Sequence, residues 1–192
     1  MNVKPLVTLL LTLSLCLCLV PCLQTESKNL YTIELNSPIV GIDLSDLPPS
    51  PPQLEIPLSS ELQQYAYEEC GYDDELYMLV MAVIQAESGF KSDSIGIDGR
   101  DYGLIQVRDC NLEQLEKQFG SVDLMNPYDN IKCGVYIIGN LMEKHEYKNL
   151  ALMAYNCGEA GARRLWKKGI YSTEYSRKVT EYYDCFAEGA AL

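Results

Sequence analysis

One glutamate of the chain, Glu87, is placed where it could act as an acid. Apolar residues recur at helical spacing before it, including Val83 and Ile84, and Glu87 continues the same stripe. Gly89 is typical of a helix end, so the carboxyl group is expected in the last helical turn. Burial and the negative end of the helix dipole both disfavour the charged carboxylate. Both effects raise the pKa of the group, as a general acid requires.

Glycoside cleavage is a reaction that uses such an acid, because the leaving oxygen must be protonated. It usually also uses a second carboxylate, as a nucleophile or as a base for water. The loop after the acid offers three candidates, which are Asp93, Asp98 and Asp101. Nearby glycines, Gly96 and Gly99, favour the interpretation that these aspartates are solvated turn residues.

Four short motifs follow one another in the chain. They are Glu87-Ser88-Gly89-Phe90, Gly103-Leu104-Ile105-Gln106, Asn126-Pro127-Tyr128-Asp129-Asn130-Ile131 with Gly134, and Ala154-Tyr155-Asn156-Cys157-Gly158. In this order and at this spacing they resemble the soluble lytic transglycosylase (SLT) family, which has a goose-type lysozyme-like fold. The resemblance covers residues 57–188.

The resemblance implies a function and a set of site residues. It implies a peptidoglycan lytic transglycosylase that cleaves the bond between N-acetylmuramic acid and N-acetylglucosamine, with Glu87 as the acid and base. The muramic acid's own 6-hydroxyl then attacks its anomeric carbon, which leaves a 1,6-anhydro end and needs no second carboxylate. The residues implied to hold or support the sugar are Ser88, Gln106, Tyr155, Asn156 and Tyr175. Of these, Tyr155 is implied to hydrogen-bond near the acid.

Two other functions stay open. A muramidase on the same fold would use water, with Asp98 or Asp101 as the base. An inactive glycan-binding or assembly-scaffold protein would keep the fold without the reaction. The chain also departs from the family pattern, because Ile105 stands where methionine is usual and Arg108-Asp109 replaces a proline-containing continuation. These departures bear on substrate preference.

Composition and charge exclude several classes of function. The chain has 192 residues, 47% of them hydrophobic, which is enough for one domain with a core. Its net charge of -12 argues against nucleic acid and anionic lipid as partners, and is compatible with a glycan. His145 is the only histidine and no C-x-x-C pair occurs, so we expect no metal site and no cofactor.

The eight cysteines fall into two groups. Three lie in the N-terminal apolar run and five in the domain. Cys133 and Cys157 lie inside helical patterns, so we expect these two cysteines to be free and to act as small buried hydrophobic residues. The better candidates for a disulfide in an oxidising compartment are Cys70, Cys110 and Cys185.

The N-terminal residues indicate that the domain lies outside the cytoplasm, and the resemblance implies that it faces the cell wall. Residues 5–23 are almost wholly apolar and follow Lys4, which fits a cleaved signal or a membrane anchor, with a lipoprotein as a further alternative. We therefore divide the chain into a signal or anchor at 1–23, a Pro-rich linker at 24–57 and a catalytic domain at 58–190. The linker is expected to contribute nothing to the core.

Helix signals predict an all-α domain of about seven helices, with no convincing strand. The first begins with a capping box of Ser60 and Gln63, and the second begins at Asp73 or Asp74 and carries Glu87. The remaining five are predicted from Asn111 to near Gly120, from Asn126-Pro127, over 150–156, over 160–168 and from Thr173.

Overall fold

The structure, a computed structural model, describes residues 47–189, which form six helices and one two-stranded sheet. The predicted signal or anchor and most of the linker lie outside the described residues. The elements are α1 (Ser60–Glu69), α2 (Asp74–Glu87), β1 (Asp101–Tyr102), β2 (Val107–Arg108), α3 (Leu112–Phe119), α4 (Pro127–Lys144), α5 (Lys148–Trp166) and α6 (Glu174–Ala187). The predicted all-α class is confirmed.

Helix α2 is the centre of the core. Its buried residues lie on all sides of the helix rather than on one stripe, and they are Tyr77, Leu79, Val80, Met81, Ala82, Val83 and Ile84. An all-round apolar helix is stable only when other helices cover it, and α6 and α4 pack against α2. Asp73 caps its start by accepting a hydrogen bond of 2.8 Å from the Leu76 N–H. The helix ends at Glu87, and Gly89 has φ 58°, as the sequence predicted.

Helices α4 and α5 pack side by side and extend the core. The Asn126 side chain caps α4 by accepting hydrogen bonds from the N–H groups of Tyr128 and Asp129, as predicted. The two helices predicted over 150–156 and 160–168 are both present, and they are joined across a kink within α5. Gly158 interrupts α5 with φ 69° and ψ 156°, but helical geometry resumes directly afterwards, so the break is a kink.

Two predicted helix starts are wrong in detail. Ser59, rather than Ser60, caps α1, because its hydroxyl accepts the Leu62 N–H at 3.3 Å. Gln63 does not complete a capping box, and its amide donates instead to the Leu58 carbonyl. Asn111 makes no capping hydrogen bond to α3, since a 3₁₀ turn over Asp109–Asn111 leads into that helix.

The sheet is an antiparallel pair that the sequence did not predict. β1 and β2 pair Asp101 with Arg108 and Tyr102 with Val107. Strands of two residues are too short to show an alternating pattern, so no periodicity could reveal them. The pairing has a functional consequence, because it fixes Asp101 opposite Arg108.

The end of the predicted linker belongs to the folded domain. Leu54 and Ile56 pack against the core, and Leu58 is buried. The amide of Gln64 on α1 donates a hydrogen bond of 3.1 Å to the Pro49 carbonyl. The expectation that the linker contributes nothing to the core is therefore wrong for its last residues, whose apolar side chains alternate at the spacing of an extended segment.

The domain cysteines only partly follow the prediction. Cys133 is buried in the core, as expected. Cys157 is exposed, and its thiol donates to the Met153 carbonyl at 3.0 Å, because the last turn before the Gly158 kink faces outward. All five cysteines within residues 47–189 are free, including Cys70, Cys110 and Cys185, so the structure contains no bridge among these three.

Candidate active site

A groove of about 740 Å³ runs along one side of the described domain. Its walls come from the end of α2, the β1–β2 hairpin, the turn before α3 and the start of that helix, the C-terminal half of α4 and the kinked part of α5. The chemically active side chains that line it include Glu87, Asp101, Gln106, Arg108, Asn140, Lys144, Tyr155, Asn156, Cys157 and Glu159. The groove therefore has a mixed polar and apolar surface, with an acid at the end of the central helix.

A residue of the last helix, α6, fixes the carboxyl group of Glu87 on the side away from the groove. The hydroxyl of Tyr175, on α6, donates a hydrogen bond of 2.7 Å to Oε1 of Glu87. Tyr175 does not line the groove, whereas Glu87 does. The carboxyl group thus lies between the groove and the α2–α6 interface, with one oxygen anchored.

The surroundings of Glu87 raise the pKa of its carboxyl group. Burial is the main cause, because it disfavours the charged form, and the charge of Asp101 acts in the same direction. The hydrogen bond from Tyr175 and the charge of Lys178 oppose this rise by stabilising the carboxylate. A carboxyl group with a raised pKa that can also hold a negative charge is suited to donate and regain a proton.

Gln106 lies in the groove with an unusual backbone. Its φ of 52° lies in the left-handed region, which is uncommon for a residue with a side chain and is often found at functional sites. Its amide donates hydrogen bonds to the carbonyls of Gly103, at 2.8 Å, and Ser94, at 3.2 Å. The side chain therefore ties the hairpin loop to the segment that precedes β1 at the groove wall.

Asn130, buried on α4, holds this loop in place. Its side chain accepts the Ile105 N–H and donates to the carbonyls of Tyr102 and Leu124, all at 2.8–2.9 Å. A Cβ at Gly103 would lie 2.5 Å from the Asn130 amide nitrogen, and Gly103 has φ 75°, so only glycine fits there.

Tyr155 supports the same loop rather than the acid directly. Its hydroxyl donates a hydrogen bond of 2.6 Å to the Ile105 carbonyl. Burial and the charges of Glu87 and Asp101 hold the pKa of Tyr155 well above its usual range, so the hydroxyl keeps its proton. Gly134 lies flat against Ile105, where any side chain would overlap it. The motif residues after the acid therefore lock the backbone that carries Gln106.

The other residues implied by the resemblance lie in different places. Asn156 is exposed and lines the groove. Ser88 caps the end of α2, and its hydroxyl donates to the Ile84 carbonyl at 3.3 Å without lining the groove. The site thus brings together Glu87, Gln106, Tyr155 and Asn156, with Ser88 and Tyr175 behind it.

The three loop aspartates differ in position. Asp93 and Asp98 are exposed and do not line the groove, whereas Asp101 does. Arg108 pairs with both Asp98, at 2.5 Å, and Asp101, at 2.8 Å. The guanidinium of Arg108 keeps the pKa of Asp98 below its usual range, which makes Asp98 a poor base.

Sequence patterns missed the contributions of two charged residues to the site, Lys178 and Arg108. Lys178 lies three residues after Tyr175 on α6, and that spacing could have placed it on the same helix face. Arg108 could not have been linked to Asp101 without the hairpin, which carries no sequence signal. Among the described residues, no three His, Cys, Asp or Glu side chains come together as a metal site.

The described domain is helical, with a groove that contains a half-buried acid, and comparison with known proteins identifies the family. A family model for the transglycosylase SLT domain matches residues 66–178, so the chain belongs to this family. The invasion protein IagB of two Salmonella typhimurium strains is 31% identical over 110 residues. That match covers 55% of this chain and 66% of IagB, just under two thirds of the relative.

A solved structure shows the same fold. An inactive mutant of the lytic transglycosylase Slt from Pseudomonas aeruginosa superposes with a TM-score of 0.54 and 20% sequence identity. The match covers 69% of this chain and 24% of that much longer protein. The predicted family and the lysozyme-like fold are confirmed, and the domain is of a transglycosylase type.

Proposed function

We propose that the protein is a peptidoglycan lytic transglycosylase with Glu87 as its general acid and base. The observation that carries this proposal is the position of Glu87. It is half-buried at the end of the central helix, lines the groove and has one oxygen fixed by Tyr175. Its raised pKa supports a protonated carboxyl group that can donate to a glycosidic oxygen.

The reaction balances without water. Glu87 donates its proton to the oxygen between N-acetylmuramic acid and N-acetylglucosamine, and the bond from that oxygen to the muramic acid's anomeric carbon breaks. The muramic acid's 6-hydroxyl then bonds to the anomeric carbon and gives its proton to the Glu87 carboxylate. Tyr175 and Lys178 favour that carboxylate after the first step, because a hydrogen-bond donor and a positive charge both stabilise it.

The loop beside the acid supports the binding of a sugar. Gln106 and Asn156 line the groove. The Gln106 amide nitrogen already donates to two backbone carbonyls, so its amide oxygen is the group that can accept a hydrogen bond from a sugar hydroxyl, whereas the Asn156 amide can both donate and accept. Asn130 and Tyr155 hold the backbone of Ile105, the residue before Gln106, from the core side. A preorganised wall of this kind lowers the cost of ordering groups when a glycan strand binds.

One observation favours a second candidate function, hydrolysis by a muramidase. Asp101 lines the groove with Glu87, and a carboxylate in that place could direct a water molecule. Its ion pair with Arg108 argues for a fixed charge rather than a free base. Asp98 is a weaker candidate, because it is exposed and outside the groove.

Mass analysis of muropeptides released from purified sacculi separates the two reactions. A transglycosylase gives 1,6-anhydro products one water lighter than the reducing-end products of a hydrolase. Glu87→Gln should lower release at least ~10²-fold, the lower end for loss of general acid–base catalysis. Absence of any product from the wild-type protein would contradict both enzymatic functions.

We also propose that the domain works outside the cytoplasm, held near a membrane by residues 5–23. An enzyme of this family must reach peptidoglycan, and the apolar N-terminal run could export or anchor it. Within residues 47–189, no helix is long and apolar enough to cross a bilayer. Fractionation that finds the full-length protein in the cytosol would contradict this placement.

A further inference from the structure

Helix α4 presents a stripe of three side chains to the groove. Tyr136, Asn140 and Lys144 follow one another at four-residue spacing on this helix, and all three line the groove. Residues at this spacing are neighbours on one helix face, so the stripe extends about 12 Å along the helix axis. It runs from an aromatic ring through an amide to an ammonium group. The proposed cleavage chemistry uses none of the three.

The two ends of the α4 stripe are held by different contacts. The Tyr136 ring makes a T-shaped contact with the Phe119 ring of α3, with 5.3 Å between the ring centroids. Nζ of Lys144 lies 2.5 Å from Oε1 of Glu159, which follows the kink of α5 and also lines the groove. Asn140 lies between these ends and is exposed. The stripe is therefore a supported surface with an open amide at its centre.

Glu159 does not depend on Lys144 alone for a partner. Nη2 of Arg163, one turn further along α5, lies 3.2 Å from Oε2 of Glu159, and Nε2 of His145 lies 3.5 Å from Oε1. The Lys144 side chain is 52% exposed, and an ammonium group has three N–H donors. Lys144 can therefore donate to a ligand while Glu159 stays paired.

Lys144 differs in this respect from Arg108, the other basic residue that lines the groove. Arg108 contacts Asp98 and Asp101 with its two Nη atoms, so its single positive charge faces two carboxylates. The chain as a whole carries a net charge of -12, which repels an anionic ligand over most of the surface. Lys144 is thus the position in the groove that is best suited to bind a negative group.

We propose that the α4 stripe is a subsite for an acidic sugar of the glycan strand, in which Lys144 and Asn140 bind a carboxylate and the Tyr136 ring borders the sugar. An ammonium group and an amide one helical turn apart can donate to the two oxygens of one carboxylate. Lys144 is then a determinant of substrate specificity. The inference rests on the proposed function for the identity of the strand, whereas binding can be measured without cleavage.

A carboxylate occurs in two places on the muramic acid units of such a strand. The stem peptide carries carboxylates when it is present, and the lactyl group carries one when the peptide has been removed. The test therefore uses three soluble strands, which are peptide-bearing, peptide-free, and peptide-free with the lactyl carboxylates converted to neutral amides. The third strand keeps the sugars of the second and lacks only its charge.

Binding of these strands is measured in full-length Glu87→Gln, so that no strand is cleaved. In this background Lys144→Gln should raise the Kd of an acidic strand about tenfold, as for loss of a hydrogen bond to a charged group, and that of the neutral strand by no more than about twofold. An effect confined to the peptide-bearing strand assigns the site to the stem peptide, and one confined to the peptide-free acidic strand assigns it to the lactyl group. Equal effects on all three strands, or no binding of any strand, would overturn the inference.

Three further variants in the same background make the test specific. Lys117→Gln is the matched control, because Nζ of Lys117 also lies close to a glutamate, 2.6 Å from Glu113, but neither residue lines the groove, so no Kd should change. Lys144→Arg keeps the charge and should retain the preference for acidic strands. Asn140→Asp adds a negative charge to the stripe and should weaken binding of acidic strands more than of the neutral one. This variant also serves if Lys144→Gln does not fold, and an unchanged preference in Asn140→Asp would overturn the inference.

Cleavage is measured separately, with Glu87 intact. Lys144→Gln should raise KM for acidic strands about tenfold with little change in kcat, because the stripe binds the strand away from the reacting bond. If the wild-type protein releases no products while the binding preference depends on Lys144, the proposed reaction fails and the subsite stands. If products form and Lys144→Gln leaves KM for acidic strands unchanged, the reaction stands and this inference fails.

Discussion

The hydroxyl of Tyr175 donates a hydrogen bond of 2.7 Å to the carboxyl group of Glu87 across the interface of the last and the central helices. The two residues are 88 positions apart in the chain, so the fold alone brings them together. The bond anchors one oxygen of the candidate acid and stabilises its charged form. It links the packing of α6 to the proton affinity of the site.

Tyr175→Phe should therefore change the pH dependence of activity. Loss of the donor removes an effect that lowers the pKa of Glu87, so the decline of activity at high pH should begin at a higher pH. We expect activity at neutral pH to fall about tenfold, as for loss of one hydrogen bond to a charged group. The measurement is muropeptide release between pH 4 and 9.

A matched control for this variant is Tyr128→Phe. Its hydroxyl also donates at 2.7 Å to a glutamate, but the partner, Glu61, lies on the exposed surface of α1. Neither residue lines the groove. An equal change of pH profile in both variants would show that the Tyr175 contact has no special effect on the acid.

The second prediction concerns the stability of Glu87→Gln. The folded protein holds the Glu87 proton more tightly than the unfolded chain does, since the folded-state pKa is raised. The stabilising contribution of this group is therefore present below the unfolded-state pKa and is lost as the pH rises through the folded-state pKa. Glutamine does not titrate, so the free energy of unfolding of the variant does not decrease for this reason as the pH rises.

Melting temperatures at two pH values check this sign. The Tm of Glu87→Gln relative to wild type should be higher at pH 7 than at pH 4, because at pH 4 wild-type Glu87 is largely protonated and resembles glutamine. A Tm difference that stays constant, or that shrinks as the pH rises, would contradict a raised pKa at this position.

The third prediction uses two glycines of α4. Gly134→Ala would drive its new methyl group into Ile105, the residue whose backbone is held by Asn130 and Tyr155. We expect a loss of about 1–3 kcal/mol of folding free energy, as for overpacking of a core, and a weaker interaction with glycan through displacement of Gln106. Urea unfolding and binding to insoluble peptidoglycan measure the two effects.

Gly139→Ala is the control on the same helix. A Cβ at Gly139 would meet no atom within 4 Å, so alanine should stabilise α4 by up to about 1 kcal/mol. Equal effects of the two substitutions would mean that helix propensity, rather than contact with Ile105, determines the result at Gly134.

Local sequence signals predicted most helices well, because their causes are local. Asp73 and Asn126 cap helices by hydrogen bonds within three residues, and Gly89 ends α2 with a positive φ. The same signals placed Glu87 at a helix end, although the apolar residues before it surround the helix instead of forming the predicted stripe. They failed at Ser59, where two adjacent serines offered equivalent caps.

The partners of the site residues depend on contacts between distant segments. Family resemblance implied that Tyr155 hydrogen-bonds near the acid and that Tyr175 belongs to the site, but it did not give their partners: Tyr175 donates to Glu87 and Tyr155 donates to the Ile105 carbonyl. The bridge from Arg108 to Asp101 depends on a hairpin with two-residue strands. No periodic pattern or motif in the sequence marks either contact, so neither could be predicted from the residues alone.

The last prediction concerns the segment before α1. Leu54 and Ile56 pack against the core, and Glu55 between them is exposed. A fragment that begins at residue 58 lacks both apolar side chains, and we expect it to be less stable than one that begins at residue 48. Partial burial of two such side chains corresponds to about 2 kcal/mol.

Substitutions in the full-length protein separate packing from the effect of shortening the chain. Replacing Leu54 and Ile56 together by serine should lower the urea midpoint nearly as much as the truncation does, because it removes the same apolar contacts. Glu55→Ser should leave the midpoint within experimental error, since surface changes of this kind rarely exceed about 0.5 kcal/mol. If the double variant is as stable as wild type, Leu54 and Ile56 contact the core without stabilising it. The domain would then begin near residue 58, as the sequence suggested.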